Sequence, residues 1–206
     1  MTAERTLLLA TRNPHKLKEL RELLDLPSVR LISLEDAGIP EDPMEADLEE
    51  YDTFAENARA KAIYFQRTTG LPTIADDSGL CVDALAGGPG VRTKRFAPED
   101  MAERYGRCEA NNLYLLQRLR GLPEEERGAS YRCAIAYDDG EESFVVEGGV
   151  GGRIATEPRG DAGFGYDPLF IVPEHERTFG ELSPEVKADI SHRARAVQAL
   201  AERLLG

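Results

Sequence analysis

At 206 residues with 41% hydrophobic content, the chain can bury a substantial core, and it fits a single two-lobed domain over residues 1–206 better than two independent domains. Its formal net charge of −13 excludes general nucleic-acid binding, because phosphate backbones are gripped by surplus Lys and Arg, whereas a small anion stays open to a site that gathers basic side chains and a metal. No apolar run approaches the roughly 20 residues needed to cross a bilayer, and Leu7 to Ala10 is too short for a signal peptide, so no membrane partner and a cytoplasmic location are expected.

In chain order, Thr6 to Ala10 predicts a buried strand, followed by a polar turn and an amphipathic helix with Leu17, Leu20, Leu23 and Leu24 inward. A short strand, Val29 to Ser33, leads into an acidic, proline-containing segment from Glu35 to Asp52 that is expected to be a loop. Phe54, Ala58, Ala62 and Phe65 recur at helical spacing, Gly70 and Pro72 end that helix, and Thr73 to Ala75 predicts a strand stopping at Asp76. Gly87 to Gly90 is a tight loop, and Leu113, Leu116 and Leu119 mark one face of a helix. Tyr131 to Tyr137 and Ser143 to Glu147 flank Asp138, Asp139 and Gly140 as a hairpin, with a third antiparallel strand expected near Gly152 to Ala155. Ser183 and Pro184 open the tail as N-cap and first helical residue, ahead of a terminal helix carrying Val197, Leu200, Ala201 and Leu204. Alternating strands and helices followed by a hairpin predict an α/β fold with a mixed sheet. Cys81, Cys108 and Cys133 show neither paired spacing nor a nearby His, so reduced, mostly buried thiols are expected rather than disulfides or a zinc site.

Four polar constellations interrupt this pattern. Thr11, Arg12, Asn13, Pro14, His15 and Lys16 lie between the first strand and helix, where free backbone N–H groups, a hydroxyl and an ammonium suit an anion; the plain alternative is an ordinary capped helix with a solvated lysine. Asn57 and Lys61, four apart on one helix face, follow Glu49, which can extend toward a metal, although most carboxylates of Glu45 to Asp52 read as a solvated charge run. Asp76, Asp77 and Ser78 are placed at the carboxyl end of a strand, where ligands of α/β sheets bind, and such hard oxygen donors suit Mg²⁺; an Asx-type turn is the alternative. Finally, Gly163, Phe164, Gly165, Tyr166 and Asp167 offer a ring for a flat ligand, and Lys187, His192 and Arg193 offer donors to phosphate or base, against the alternatives of a core phenylalanine and a structural histidine.

In this order and spacing, Thr-Arg-Asn-Pro-His-Lys at 11–16, Phe-Ala-Glu-Asn-Ala-Arg-Ala-Lys-Ala at 54–62, Ala-Asp-Asp-Ser-Gly-Leu at 75–80, Gly-Gly-Pro-Gly-Val at 87–91, Gly-Phe-Gly-Tyr-Asp-Pro at 163–168 and Ser-His-Arg at 191–193 resemble the inosine/xanthosine triphosphate pyrophosphatase family. The resemblance implies an elongated, curved mixed sheet with flanking helices forming two lobes around a nucleotide cleft, and a homodimer. It implies Mg²⁺-dependent hydrolysis of ITP, dITP and XTP to the monophosphate and pyrophosphate. Asp77 is implied as proton acceptor and metal ligand, with Glu49, or Glu50 beside it, as the second metal carboxylate. Thr11 to Lys16 and Lys61 are implied to hold the triphosphate, and Ser78, Phe164, Gly165, Tyr166, Asp167, Lys187, His192 and Arg193 to complete substrate binding. Arg92 stands where many bacterial members carry Tyr. The residue chemistry is consistent, since attack at the α-phosphorus needs an activated water, neutralised phosphates and a stabilised leaving group. Two rivals remain: a pyrophosphatase for other aberrant nucleotides such as modified pyrimidines, and a nucleotide-binding regulatory module without catalysis.

Overall fold

The computed structural model describes residues 5–24, 26 and 28–205. The chain runs β1 (Arg5–Leu9), α1 (Pro14–Leu23), β2 (Val29–Ser33), a 3₁₀ helix at Pro43–Glu49, α2 (Phe54–Thr69), β3 (Thr73–Val82), 3₁₀ turns at Asp83–Leu85 and Gly90–Arg95, α3 (Glu99–Tyr105), α4 (Arg107–Arg118), a turn at Glu124–Glu126, β4 (Gly128–Asp138), β5 (Ser143–Ile154), β6 (Phe170–Val172), β7 (Arg177–Thr178), a turn at Phe179–Glu181, α5 (Pro184–Ile190) and α6 (His192–Leu205). Among the described residues the seven strands form one sheet in the order β2-β1-β3-β4-β5-β6-β7. Strand β1 pairs in parallel with β2 and β3, whereas β6 is antiparallel to both β5 and β7. A four-residue link joins β4 to β5, too short for anything but an antiparallel pair. The fold is therefore α/β with a mixed sheet and flanking helices, as expected.

By contacts the chain divides into two compact units, Met1–Ser78 with Cys133–Gly148 and Arg193–Gly206, and Gly79–Arg132 with Gly149–His192. Strand alternation organises the first. Leu7, Leu9, Ile74, Cys133, Ile135 and Tyr137 pack with Leu20 of α1 and Ala196, Val197 and Leu200 of α6. The intervening residues Leu8, Ala10, Ala75, Ala134 and Ala136 pack instead with Ala58, Ala62 and Phe65 of α2. Successive side chains of a strand point to opposite faces, so a one-residue slip would exchange the two sets and destroy both layers. In the second unit Leu80, Val82, Tyr131, Val150, Ile154, Phe170 and Val172 pack with Leu115 of α4, with Leu119 just past its end, and with Phe179 and Leu182. The buried Arg127 guanidinium donates to the carbonyls of Leu119, Ile154 and Ala155 at 2.9, 2.7 and 2.7 Å, which satisfies it without a carboxylate.

Several boundaries differ from the sequence expectation. The first strand sits one residue earlier, at Arg5–Leu9. Strand β3 does not stop at Asp76 but continues through Asp77 and Ser78 to Val82. The acidic segment is not all loop: Asp42 and Glu45 form a capping box, with Met44 N donating to Asp42 Oδ1 at 2.9 Å and Asp42 N to Glu45 Oε1 at 3.1 Å, which starts the 3₁₀ helix at Pro43–Glu49. The third antiparallel strand expected near Gly152 is the end of β5, whose Arg153 and Ile154 pair with Ile171 and Phe170. A Cβ on Gly152 would lie 2.3 Å from the Ile171 carbonyl oxygen, so glycine permits that approach. The tail contains two helices, α5 and α6, separated by the extended Ser191 at ψ 160. All three cysteines are free, but only Cys133 is buried, Cys81 being partly covered and Cys108 exposed. No helix among the described residues is long and apolar enough to cross a membrane.

Candidate active site

The alternation of β3 assigns the two adjacent aspartates to different neighbours. Asp76 shares parity with Ile74 and faces α1 and α6, whereas Asp77 shares parity with Ala75 and faces α2. Asp76 is 1% exposed, and its Oδ2 lies 3.0 Å from Lys16 Nζ of α1 and 3.2 Å from Arg193 Nη2 of α6. Arg193 Nη2 also donates to Ser78 Oγ at 2.8 Å, and its Nη1 pairs with Glu19 of α1. Burial alone would raise the Asp76 carboxyl, but Lys16, Arg193 and Lys61 outweigh it and hold it well below the usual carboxylate range. Burial pushes the Lys16 ammonium down, with Asp76 opposing. Arg193 is 1% exposed, and its two terminal nitrogens meet these internal partners.

On the opposite face Asp77 Oδ2 accepts from Asn57 Nδ2 at 2.9 Å, and Asn57 Oδ1 accepts from Tyr51 N at 3.0 Å, so this buried amide is fixed from both ends. Lys61, one helical turn further along α2, donates to the Asp76 carbonyl at 2.7 Å and to Glu49 Oε1 at 3.0 Å, and lies 3.6 Å from Asp77 Oδ1. Burial lowers the Lys61 ammonium, but Asp77, Glu49 and Asp76 outweigh that and raise it overall. Glu49 and Asp77 therefore converge on one ammonium, whereas Glu50 is the exposed C-cap of the 3₁₀ helix. Among the described residues no three His, Cys, Asp and Glu side chains are grouped to hold a metal by themselves. Two converging carboxylates fit Mg²⁺, which commonly takes one or two protein oxygens and completes its shell with phosphate and water.

At the start of α1, Asn13 is the N-cap, its Oδ1 accepting from His15 N at 2.9 Å and Lys16 N at 3.3 Å, while Asn13 N donates to Thr11 Oγ1 at 3.2 Å. Pro14 at the first helical position gives up an N–H that no helix bond needs. Pro14 and His15 are exposed there. Arg12 turns away from this turn: its guanidinium binds Glu45 at 2.7 and 3.0 Å and the Ile39 and Pro40 carbonyls at 2.9 and 2.8 Å, tethering the acidic segment.

In the second unit Gly163, at φ +77, allows the chain to wrap over Asp167, since a Cβ there would lie 2.0 Å from Asp167 Oδ2. That oxygen accepts from Phe164 N and from Lys187 Nζ of α5, each at 2.7 Å. Lys187 Nζ stands 4.9 Å from the centroid of the half-buried Phe164 ring. Tyr131 donates to Asp167 Oδ1 at 3.4 Å and stacks on His192 at 4.7 Å with 9° between planes. Tyr166 is core, its hydroxyl donating to the Thr93 carbonyl at 2.8 Å. Arg92 is exposed in the Gly90–Arg95 turn. Sequence reasoning assigned no role to Glu19, Tyr131 or Asn112, whose Nδ2 donates to the Gly165 carbonyl at 3.0 Å, because their partners lie far away in sequence.

Comparison with known proteins gives concordant matches. A model of the Ham1 family matches residues 7–203. A dITP/XTP pyrophosphatase of Geobacter sulfurreducens is 46% identical over 199 residues, covering 96% of this chain and 96% of that protein. One of Bacillus subtilis is 42% identical over 198 residues, again covering 96% of each. Among solved structures, the Staphylococcus aureus Ham1 protein has a TM-score of 0.84 at 34% identity, covering 98% of this chain and 99% of that one. A HAM1 protein from Coxiella burnetii has a TM-score of 0.83 at 38% identity and covers 98% of each chain.

Proposed function

The chain belongs to the Ham1 family, and from that membership we propose that it hydrolyses deaminated purine nucleoside triphosphates, ITP, dITP and XTP, to the monophosphate and pyrophosphate. One observation carries the assignment of chemistry: of two adjacent aspartates, Asp76 is committed to Lys16 and Arg193, and Asp77 is held by a neutral amide beside Lys61. Asp77 is the proton acceptor for the attacking water, oriented through Oδ2 by Asn57. Mg²⁺ held by Asp77 and Glu49 would neutralise phosphate charge and make bound water more acidic. Lys61 and Lys16 supply positive charge to the triphosphate, with the Asn13-capped turn of α1 offering its remaining N–H groups. Phe164 supplies a ring for stacking, and Lys187 a donor fixed by Asp167. In the same reading the enzyme works as a homodimer in the cytoplasm.

Pyrophosphate and monophosphate release should be measured with ITP, dITP, XTP, the common nucleotides and a modified pyrimidine triphosphate, with Mg²⁺ present and after chelation. Fast, chelator-sensitive turnover of the deaminated purines alone is expected. Equal efficiency with ATP would refute the substrate class, and full activity in chelator would refute the metal.

A further inference from the structure

The proposed reaction gives work to Asp77, Lys16 and Lys61 but none to Asp76, which is nevertheless 1% exposed and meets two cations. Its Oδ2 lies 3.0 Å from Lys16 Nζ and 3.2 Å from Arg193 Nη2, and Ser78 Oγ donates to the same oxygen at 3.4 Å. Arg193 is braced in turn by Glu19, one helical turn beyond Lys16 on α1. Elements β3, α1 and α6 are thus tied around a single carboxylate oxygen. A lysine on a four-carbon stem has many rotamers, and ordering it costs entropy unless something fixed receives its ammonium. Lys16 is 5% exposed, so it also needs a counter-charge to remain protonated when buried, and Asp76 chiefly opposes the effect of burial.

We infer that Asp76 is a positioning residue that acts through Lys16: it holds the lysine ammonium ready for the triphosphate, and the Arg193–Glu19 pair holds Asp76. The inference rests on the proposed role of Lys16 in triphosphate binding. Direct repulsion between Asp76 and a polyphosphate would act in the opposite sense, so the direction of the effect is informative.

A double-mutant cycle with ITP tests this. Loss of a hydrogen bond to a charged group corresponds to about a 10- to 100-fold effect, so Asp76→Asn should raise KM by roughly that factor with a much smaller change in kcat. In a Lys16→Ala background the same substitution should have almost no further effect on KM, because the group it serves is gone. Asp76→Asn leaves two buried cations short of a carboxylate and lowers stability, so the partly exposed Glu19→Gln is the second variant. It should raise KM by a smaller factor, with this increment also vanishing in Lys16→Ala. Full additivity in either cycle, or an unchanged or lower KM in Asp76→Asn, overturns the inference. An unchanged KM in Lys16→Ala alone instead overturns the assignment of Lys16 to the triphosphate, which separates the two failures.

Discussion

Asp76 and Asp77, adjacent in sequence, meet different partners because a strand sends them to opposite faces. Asp77→Asn keeps the amide-sized shape and can still meet Asn57, but it cannot accept the water proton, so turnover should fall by about 10²- to 10⁴-fold with the fold intact. Steady-state rates beside circular dichroism check this, and retention of more than about a tenth of the rate would remove Asp77 as base on that scale. Hydrolysis in ¹⁸O-water should label the monophosphate; label in pyrophosphate would mean attack at the β-phosphorus. Asp76 carries a separate expectation, for stability. Its folded carboxyl is held below the ordinary 3.8, so the stabilisation is present above that value and is lost as pH falls through the lower folded value. In Asp76→Asn that acid-labile contribution is absent at every pH, so the difference in melting temperature from wild type should shrink as pH drops below about 4. A difference that stays constant down to the acid limit would show that Asp76 is not held ionised by Lys16 and Arg193. The Asp-Asp pair stood out in the sequence, but the partners of Asp76 did not, since Lys16 and Arg193 are 60 or more residues away from it.

The helices were the most legible elements, because their caps and apolar spacing are local. Thr53 and Gly70 bracket α2, with Thr53 accepting from Glu56 N and Gly70 in the left-handed region at φ 69. The N-cap of α1 has both a structural and a proposed binding role, and the two can be separated. Asn13→Ala should cost about 1 kcal/mol of stability through the uncovered N–H groups and raise KM for triphosphate without altering the ranking of bases. Chemical denaturation and a nucleotide panel measure the two parts. A changed ITP to ATP ratio would mean that this turn touches the base rather than the phosphates. Strand β3 was harder to read. Asp76, Asp77, Ser78 and Gly79 have the composition of a turn, yet the chain stays extended through them to Val82. Asp76 Oδ2 meets Lys16 and Arg193, and Asp77 meets Asn57 and Lys61. Tertiary partners thus override local propensity in β3.

At the scale of the molecule, a formal charge of −13 destabilises the compact state through self-repulsion, which salt screens. Melting temperature should therefore rise between low and moderate NaCl in the absence of nucleotide; a flat or falling response would show that the local ion pairs outweigh the net charge. The apolar spacing, the capping residues and the six ordered motifs are properties of neighbouring residues, so they carry the α/β class, most element positions and the family. Strand order, the extent of β3 and β5, and the pairing of Glu49 with Lys61 came only with tertiary structure. So did the burial of Arg193 against Asp76, Ser78 and Glu19. The physical reason is common to these cases: each depends on which distant group meets a side chain, and burial and charge pairing between distant groups exist only once β1, β3, α1, α2 and α6 have packed, so no local propensity encodes them.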